Sequence, residues 1–167
     1  IWSLIFHSKL GMMNNLFGMN FSWAAKQPYA WLLVIIVSVW GGIGGNMVIY
    51  RAAIAGVSQD LYESAEIDGA TAFEKFIHIT LPSIKFPLVY TLVMTTAGCF
   101  NVFAQPLMMT KGGPKQGTHV LMMYIRSLAF GHGESIAGIA SAMAVLLGLI
   151  ILVISAIQYY LMNKNTD

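Results

Sequence analysis

Residues 63–82 read Glu-Ser-Ala-Glu-Ile-Asp-Gly-Ala-Thr-Ala-Phe-Glu-Lys-Phe-Ile-His-Ile-Thr-Leu-Pro, an acidic and polar stretch between two long apolar runs. Three windows of the chain contain no Asp, Glu, Lys or Arg: 27–50, 86–110 and 135–163. Each window exceeds the roughly 20 residues with which a helix crosses about 30 Å of hydrocarbon. The quoted stretch lies between the first two windows. It therefore predicts a loop that leaves the membrane and returns to it.

The loop is predicted to form two short helices joined by a turn. Asp60 precedes Glu63 by three residues, the arrangement of a capping box at a helix start, and Thr71 precedes Glu74 in the same way. Gly69 ends the first helix, because glycine takes the left-handed conformation that a helix C-terminus needs. These spacings predict a helix–turn–helix.

Each of the two helices is predicted to carry an apolar side. Leu61 and Ala65 lie one helical turn apart, as do Phe73 and Ile77. Pro82 is predicted to end the second helix or to kink it into the next span. The loop is strongly acidic, with one lysine against five carboxylates: Asp60, Glu63, Glu66, Asp68 and Glu74 against Lys75. On its residues alone, this hairpin is either a docking surface or a simple connection between two spans.

The composition predicts an all-α membrane protein. Of 167 residues, 57% are hydrophobic and only 10% are charged, and the mean hydropathy is +0.68, whereas soluble domains carry about 25% charged residues. We predict three membrane-spanning helices, at about 29–51, 83–105 and 135–161, which place the two ends of the chain on opposite sides of the membrane. The bulky side of the third span, formed by Leu, Ile and Val, is expected to meet membrane lipid.

The positive charges do not decide the orientation of these spans. The side that holds loop 57–82 would carry four Lys and Arg residues, and the opposite side would carry five. Because cytoplasmic loops are distinguished by a clear excess of these residues, neither orientation is favoured on charge.

Two stretches of the sequence resemble motifs of known proteins. The quoted stretch resembles the coupling loop of permease subunits of bacterial ATP-binding-cassette importers, in which Glu-Ala-Ala and Asp-Gly-Ala are followed by Phe, Ile and Leu-Pro. Nine residues match it: Glu63, Ala65, Asp68, Gly69, Ala70, Phe76, Ile79, Leu81 and Pro82. Ser64 replaces the second small residue. The sequence Thr110-Lys111-Gly112-Gly113-Pro114, followed by Thr118, resembles a turn of carbohydrate-uptake permeases of the maltose and glycerol-phosphate type.

The resemblance covers about residues 10 to 161 and implies an architecture. It implies a type-1 importer permease fold over 29–161, with loop 57–82 as a cytoplasmic helix–turn–helix coupling loop. Residues 1–28 are then expected to be an extracytoplasmic, interfacial segment that follows missing N-terminal spans, the chain being the C-terminal part of a longer permease. The segment 106–134 becomes an external loop, and 162–167 a cytoplasmic tail.

The resemblance also implies partners and a place in the cell. A dimer of ATP-binding subunits, a second homologous permease subunit and an extracytoplasmic solute-binding protein are expected to assemble with this chain in the inner membrane. The transported solute is expected to be a small sugar or polyol. ATP is hydrolysed by a separate subunit, so the chain is expected not to be an enzyme and to need no cofactor.

Four residues are candidates for the solute pathway. Sugar sites need hydrogen-bonding groups for hydroxyls and an aromatic face for the ring. The first two spans offer few such groups near their centres: Trp40 beside Gly42, and Thr95 and Asn101. The resemblance places pathway residues on these two helices. Packing between helices is the alternative role of the polar groups.

Other chemistries lack their residue patterns in this sequence. There is no Gly-x-x-x-x-Gly-Lys-Ser/Thr phosphate loop, and the four histidines, His7, His78, His119 and His132, lack metal-ligand spacing. A net charge of +2 is too weak to indicate nucleic-acid binding. The span interiors contain no ionisable residue of the kind that ion-coupled carriers use.

Three alternatives stay open. The first is an importer permease for another solute class, such as a polyamine, peptide or phosphonate. The second is a non-transporting membrane scaffold, and the third is a fragment of an intramembrane enzyme. The absence of a nucleophile–base or metal pattern disfavours the enzyme, and the Gly-Gly-Pro turn disfavours the scaffold.

Overall fold

The computed structural model describes residues 1–18, 20–131 and 136–164, and within these ranges all regular structure is helical. The predicted all-α class is therefore confirmed for the described residues. The predicted segments 106–134, 135–161 and 162–167 extend into residues outside these ranges, and His132 lies outside them. In chain order the α-helices are α1 (Trp2–Ile5), α2 (Met12–Leu16), α3 (Tyr29–Ala55), α4 (Gln59–Ile67), α5 (Ala72–Lys75), α6 (Leu81–Ser83), α7 (Lys85–Phe100), α8 (Ala104–Met109), α9 (Leu121–Phe130) and α10 (Ala137–Lys164).

Two of the described helices are long and apolar enough to cross a membrane by themselves. Helix α3 contains 27 residues, and the apolar part of α10, Ala137–Met162, contains 26. At a rise of 1.5 Å per residue, each is about 40 Å long, more than the hydrocarbon thickness of about 30 Å. Helix α3 begins at Tyr29, where the sequence predicts the first span to begin.

The second predicted span, 83–105, is not one straight helix. Helix α7 contains 16 residues and is preceded by the helical segment Ala72–Ser83, from which it is bent by 70°. Ile84 separates the two with φ −96° and ψ 14°, outside the α-helical region. Counted together, this bent pair forms a possible third crossing.

Helix α7 also ends five residues before the predicted end of the span, a correction to the sequence-based boundary. The N–H of Asn101 bonds to Gly98 O at 3.1 Å, a tightened last turn, and Phe103 then leaves the helix with φ −148°. Pro106 lies just beyond and has no N–H with which to continue the α7 helix. Helix α8 begins as a separate helix at Ala104, two residues before Pro106.

The chain divides into two compact units, Ile1–Gly41 with Gly98–Leu152, and Gly42–Ala97 with Val153–Asp167. In the first unit, Asn14 holds the N-terminal helical pieces together. Its Nδ2 donates to Ser8 O at 2.8 Å and to Phe21 O at 2.7 Å, and its Oδ1 accepts from Trp23 Nε1 at 2.9 Å. Because Asn14 is buried, these bonds satisfy its amide where water is excluded.

In the second unit, hydrogen bonds between side chains join apolar helices. Tyr50 of α3 bonds to Thr91 of α7. Gln158 Nε2 of α10 donates to Thr96 Oγ1 at 3.0 Å. Such bonds fix the packing of membrane helices because lipid offers the polar groups no alternative partner.

Candidate functional site

Loop 57–82 lies within the second unit, and its first helix starts earlier than predicted. Helix α4 begins at Gln59, and Ser58 is its N-cap without a side-chain bond to the backbone. The predicted capping box of Asp60 and Glu63 is therefore wrong. Asp60 lies in the first turn, where its charge complements the helix dipole, and the Glu63 carboxylate instead accepts from Gln59 Nε2 at 2.8 Å.

The turn after α4 forms as predicted. Gly69 has φ +78°, the left-handed conformation. The Gly69 N–H donates to Glu66 O at 3.1 Å, and the Ala70 N–H donates to Ala65 O at 2.9 Å. This pair of bonds is a Schellman motif. It satisfies carbonyl groups at the end of α4 and fixes the direction in which the chain leaves the helix.

The capping box of the second helix is also confirmed. Thr71 Oγ1 accepts from the Glu74 N–H at 3.3 Å, and the Glu74 carboxylate accepts from the Thr71 N–H at 2.7 Å. The hydrogen bond from the Thr71 backbone, followed by that from its side chain, lowers the pKa of Glu74 below its usual value. The carboxylate is therefore held in its charged form at a helix start.

The second helix widens before it reaches Pro82. Residues Phe76–Thr80 form a π-helix, in which the Leu81 N–H bonds to Phe76 O, five residues back. Pro82 has no N–H and would clash with a carbonyl group one α-turn earlier in a regular helix. The wider turn directly before it relieves that conflict. Pro82 was predicted either to end the second helix or to kink it into the next span. The structure shows a kink, which lies at Ile84, two residues after Pro82.

The nine residues of the importer motif lie on an exposed element. Three are half-buried, Ala65, Ala70 and Ile79. Six are exposed, Glu63, Asp68, Gly69, Phe76, Leu81 and Pro82. The apolar sides of the two helices are exposed as well, with Ile67 88% and Phe73 70% accessible. The loop thus presents apolar and acidic side chains together on a well-capped scaffold, a surface suited to a protein partner with basic and apolar groups.

The four predicted pathway residues are divided between the two units. Trp40 and Asn101 belong to the first unit, and Gly42 and Thr95 to the second. Trp40 is 68% exposed and meets Trp2 edge-to-face, with ring centroids 6.0 Å apart. Thr95 accepts a long hydrogen bond from Asn46 Nδ2 at 3.5 Å. A solute role for these residues remains a prediction.

Sequence analysis missed a polar contact inside loop 57–82. Tyr62 of α4 bonds through its hydroxyl to Thr80 Oγ1 at 2.8 Å. The two residues are 18 positions apart and lie on different helices, so no helical periodicity links them. Only the turn at Gly69 brings them together, and the path of the chain beyond that turn has no local sequence signal.

Among the described residues there is no group of three or more His, Cys, Asp or Glu side chains that could hold a metal ion.

Comparisons with known proteins place these features in a family. A family model described as "Binding-protein-dependent transport system inner membrane component" matches residues 2–166. The chain is 32% identical over 164 residues to "Probable ABC transporter permease protein YurN" of Bacillus subtilis (strain 168), covering 95% of this chain and 56% of that protein. It is 30% identical over 170 residues to "Lactose transport system permease protein LacF" of Rhizobium radiobacter, covering 95% of this chain and 57% of that protein.

Further likenesses agree with these two. "Probable starch degradation products transport system permease protein AmyD" of Thermoanaerobacterium thermosulfurigenes is 34% identical over 167 residues, covering 99% of this chain and 56% of that protein. A chain from the crystal structure of a bacterial ABC transporter involved in the import of the acidic polysaccharide alginate has the same fold, with a TM-score of 0.86 at 23% identity over 99% of this chain and 59% of that chain. The chain thus spans little more than half the length of the curated relatives named here.

Proposed function

The chain belongs to the family of binding-protein-dependent transport system inner membrane components, and we propose that it is a permease subunit of an importer for a sugar or related polyol. A dimer of separate ATP-binding subunits supplies the energy, and an extracytoplasmic solute-binding protein delivers the sugar. A second homologous permease subunit completes the pathway. The chain itself changes no covalent bond.

The observation that carries the proposal is the exposed surface of loop 57–82. Its apolar side chains are exposed rather than packed within the chain, and the same loop carries exposed carboxylates. The Schellman motif and the Thr71 capping box hold both helices in place. In the importer, this surface rides in a cleft of one ATP-binding subunit. Closure of the ATP-binding dimer moves the loop, and the spans switch between two packed states.

In the proposed topology the bent pair Ala72–Ser83 and Lys85–Phe100 serves as the third crossing beside α3 and α10. Loop 57–82 then lies in the cytoplasm, and the segment 106–134 lies outside. The kink at Ile84 sits where the chain passes from the docking surface into the span. A movement of the loop therefore reaches α7 through one short segment.

A sugar is the proposed solute because relatives of this chain are named for lactose and for starch degradation products. Trp40, Gly42, Thr95 and Asn101 are proposed to contact it. The open indole of Trp40 offers an apolar face for the C–H side of a sugar ring. Thr95 and Asn101 offer hydrogen-bonding groups for its hydroxyls.

Reconstitution tests the proposal. The permease is co-expressed with an ATP-binding subunit, a second permease and a secreted binding protein sought in the neighbouring reading frames, and the complex is placed in proteoliposomes. We expect uptake of radiolabelled maltose or lactose that requires both ATP and the binding protein. Uptake of spermidine or a dipeptide in place of either sugar would refute the solute class. An assembled complex that moves none of these solutes would favour the scaffold alternative.

A further inference from the structure

We infer that Tyr62 and Thr80 form the link through which movement of α4 reaches α7, so that Tyr62 is a positioning residue for energy coupling. The inference rests on the proposed function, because it assigns a role within the transport cycle to a contact inside loop 57–82. Neither residue belongs to the importer motif in the sequence.

The link is a part-buried hydrogen bond between α4 and the π-helix Phe76–Thr80. Tyr62 is half-buried and Thr80 is 7% exposed, and their hydroxyl oxygens lie 2.8 Å apart. A second polar contact across the same turn joins Lys75 Nζ to Glu66 Oε1 at 3.6 Å, with the Glu66 side chain 75% exposed. Exposed ion pairs are screened by water and salt and contribute little. The Tyr62–Thr80 bond is therefore the stronger polar connection across the turn.

The hydroxyl of Thr80 has one hydrogen to donate and two lone pairs that accept. It donates to Lys75 O at 3.5 Å, five residues back, alongside the π-helical backbone. With its hydrogen in that bond, Thr80 accepts from the Tyr62 hydroxyl; with the hydrogen turned toward Tyr62, Thr80 donates instead. Thr80 is the last residue of the π-helix, a widened turn of the kind that often lies at functional sites. Tyr62 thus bonds to the end of the π-helix, where the backbone departs from regular α-helical geometry.

Thr80 also connects directly to the kink before α7. Its carbonyl oxygen accepts from the Ile84 N–H at 3.1 Å, and Ile84 O accepts from the Leu88 N–H at 3.0 Å in the first turn of α7. Ile84 is buried at the 70° bend. A continuous series of hydrogen bonds therefore joins Tyr62 to Thr80, Thr80 to Ile84, and Ile84 to the first turn of α7. Without the Tyr62 hydroxyl, α4 can move while the bend stays in place.

The test is a double-mutant cycle in the complete reconstituted importer. Tyr62→Phe keeps the ring and removes the hydroxyl, and Thr80→Val keeps the shape and removes the other partner. We expect each to lower the number of maltose molecules moved per ATP by about threefold to tenfold, the range that loss of one buried hydrogen bond implies. The double variant should be no worse than Thr80→Val, which also loses the contact with Lys75 O, because Tyr62→Phe removes only the bond that Thr80→Val has already removed.

Two controls separate positioning from general damage. Thr80→Ser keeps the hydroxyl and should retain the wild-type ratio of sugar to ATP. Tyr90→Phe, which removes a hydroxyl from an exposed tyrosine of α7, should also retain it. A purely structural role would lower assembly and ATP hydrolysis together and leave the ratio unchanged.

The outcomes distinguish this inference from the proposed function. An unchanged ratio in both single variants, or additive losses in the double variant, would overturn the inference while wild-type uptake still supports the importer. If the wild-type complex moves no sugar, the proposed function fails first.

Discussion

Gly69 occupies a position where the backbone, rather than the surrounding space, restricts the side chain. An added Cβ would meet no atom within 4 Å, but the φ of +78° is one that side chains with a Cβ rarely adopt. A left-handed residue costs roughly 1–2 kcal/mol for L-amino acids and more for a β-branched one. A substitution at Gly69 therefore tests the left-handed backbone conformation of the turn and does not disturb side-chain packing.

We predict that Gly69→Val abolishes sugar uptake while the protein still inserts into the membrane. The valine opposes the left-handed conformation, so the Schellman motif breaks and the two helices of loop 57–82 lose their relative direction. Co-purification of the ATP-binding subunit should fall at the same time. Gly69→Asn is the matched control, because asparagine tolerates this conformation, and it should retain most of the uptake. Full uptake by Gly69→Val would remove loop 57–82 from the coupling role.

Glu74 gives a second prediction at this scale, from its pKa. The hydrogen bonds of Thr71 lower that pKa, so the contribution of the carboxylate to stability is complete above its unfolded pKa and is lost as the pH falls through its folded pKa. Thr71→Val keeps the backbone N–H, the larger cause, and removes the hydroxyl, so it should raise the pKa of Glu74 only part of the way toward its usual value, as followed by NMR titration of the carboxyl carbon in detergent micelles. Thr71→Ser should keep the pKa low. An equally low pKa in both variants would contradict the capping-box assignment.

The caps of loop 57–82 show which local features the sequence can predict. The Gly69 turn and the Thr71–Glu74 box depend on residues within one helical turn of each other, and both form. The start of α4 was mispredicted because Ser58 and Asp60, two residues apart, are both good N-cap types. A choice between neighbouring caps depends on where the preceding chain ends, and α3 runs to Ala55.

At the scale of whole helices, the long apolar elements are predictable and the interrupted one is not. Uninterrupted hydrophobicity marks α3 and α10 directly. The middle span was predicted as one helix over 83–105. Pro82 indicated the kink that lies at Ile84, but the apolar window shows no sign of the break at Asn101. Breaks of this kind arise where contacts at one short segment outweigh the helical preference of a long run.

Contacts between distant helices also lie beyond sequence patterns. The Gly-Gly-Pro turn was predicted from composition, but Trp31 Nε1 donates to Gly117 O at 2.8 Å across a separation of 86 residues. Thr118, fully buried, donates to Gly113 O at 2.7 Å and closes the turn. Its sequence neighbours, Gly117 and His119, gave no sign of this burial.

The prediction about the solute concerns Trp40 of α3 and Asn101, the residue directly after α7. We expect Trp40→Ala and Asn101→Ala each to lower sugar uptake severalfold, while assembly with the ATP-binding subunit stays intact. Trp40 is mostly exposed in the chain, so its truncation leaves little cavity and should spare folding. Uptake and co-purification are measured on the same preparations.

Trp40→Tyr provides the control for this prediction, because it keeps an aromatic face and should keep more of the uptake than Trp40→Ala. If Trp40→Ala and Asn101→Ala both transport at the wild-type rate, these side chains are packing groups. The solute contacts would then lie on the second permease subunit or on parts of the importer outside this chain.

At the scale of the whole molecule, the sidedness of the chain is the property that neither its charges nor its helices determine. Four positive residues against five give no orientation. The described helices give two crossings, or three if the bent pair is one span. The resemblance to importer permeases alone places loop 57–82 in the cytoplasm and Lys115 outside, with one crossing between them.

A labelling experiment decides this topology. The single native thiol, Cys99, is first replaced by serine, because it is exposed in the chain. Glu66→Cys and Lys115→Cys are then made separately, and intact cells are treated with a membrane-impermeant maleimide. We expect labelling of Lys115→Cys alone, and labelling of Glu66→Cys only after the membrane is opened. If both are labelled in intact cells, the bent pair does not cross the membrane. If only Glu66→Cys is labelled, the orientation is inverted, and an ATP-driven partner in the cytoplasm could not reach loop 57–82.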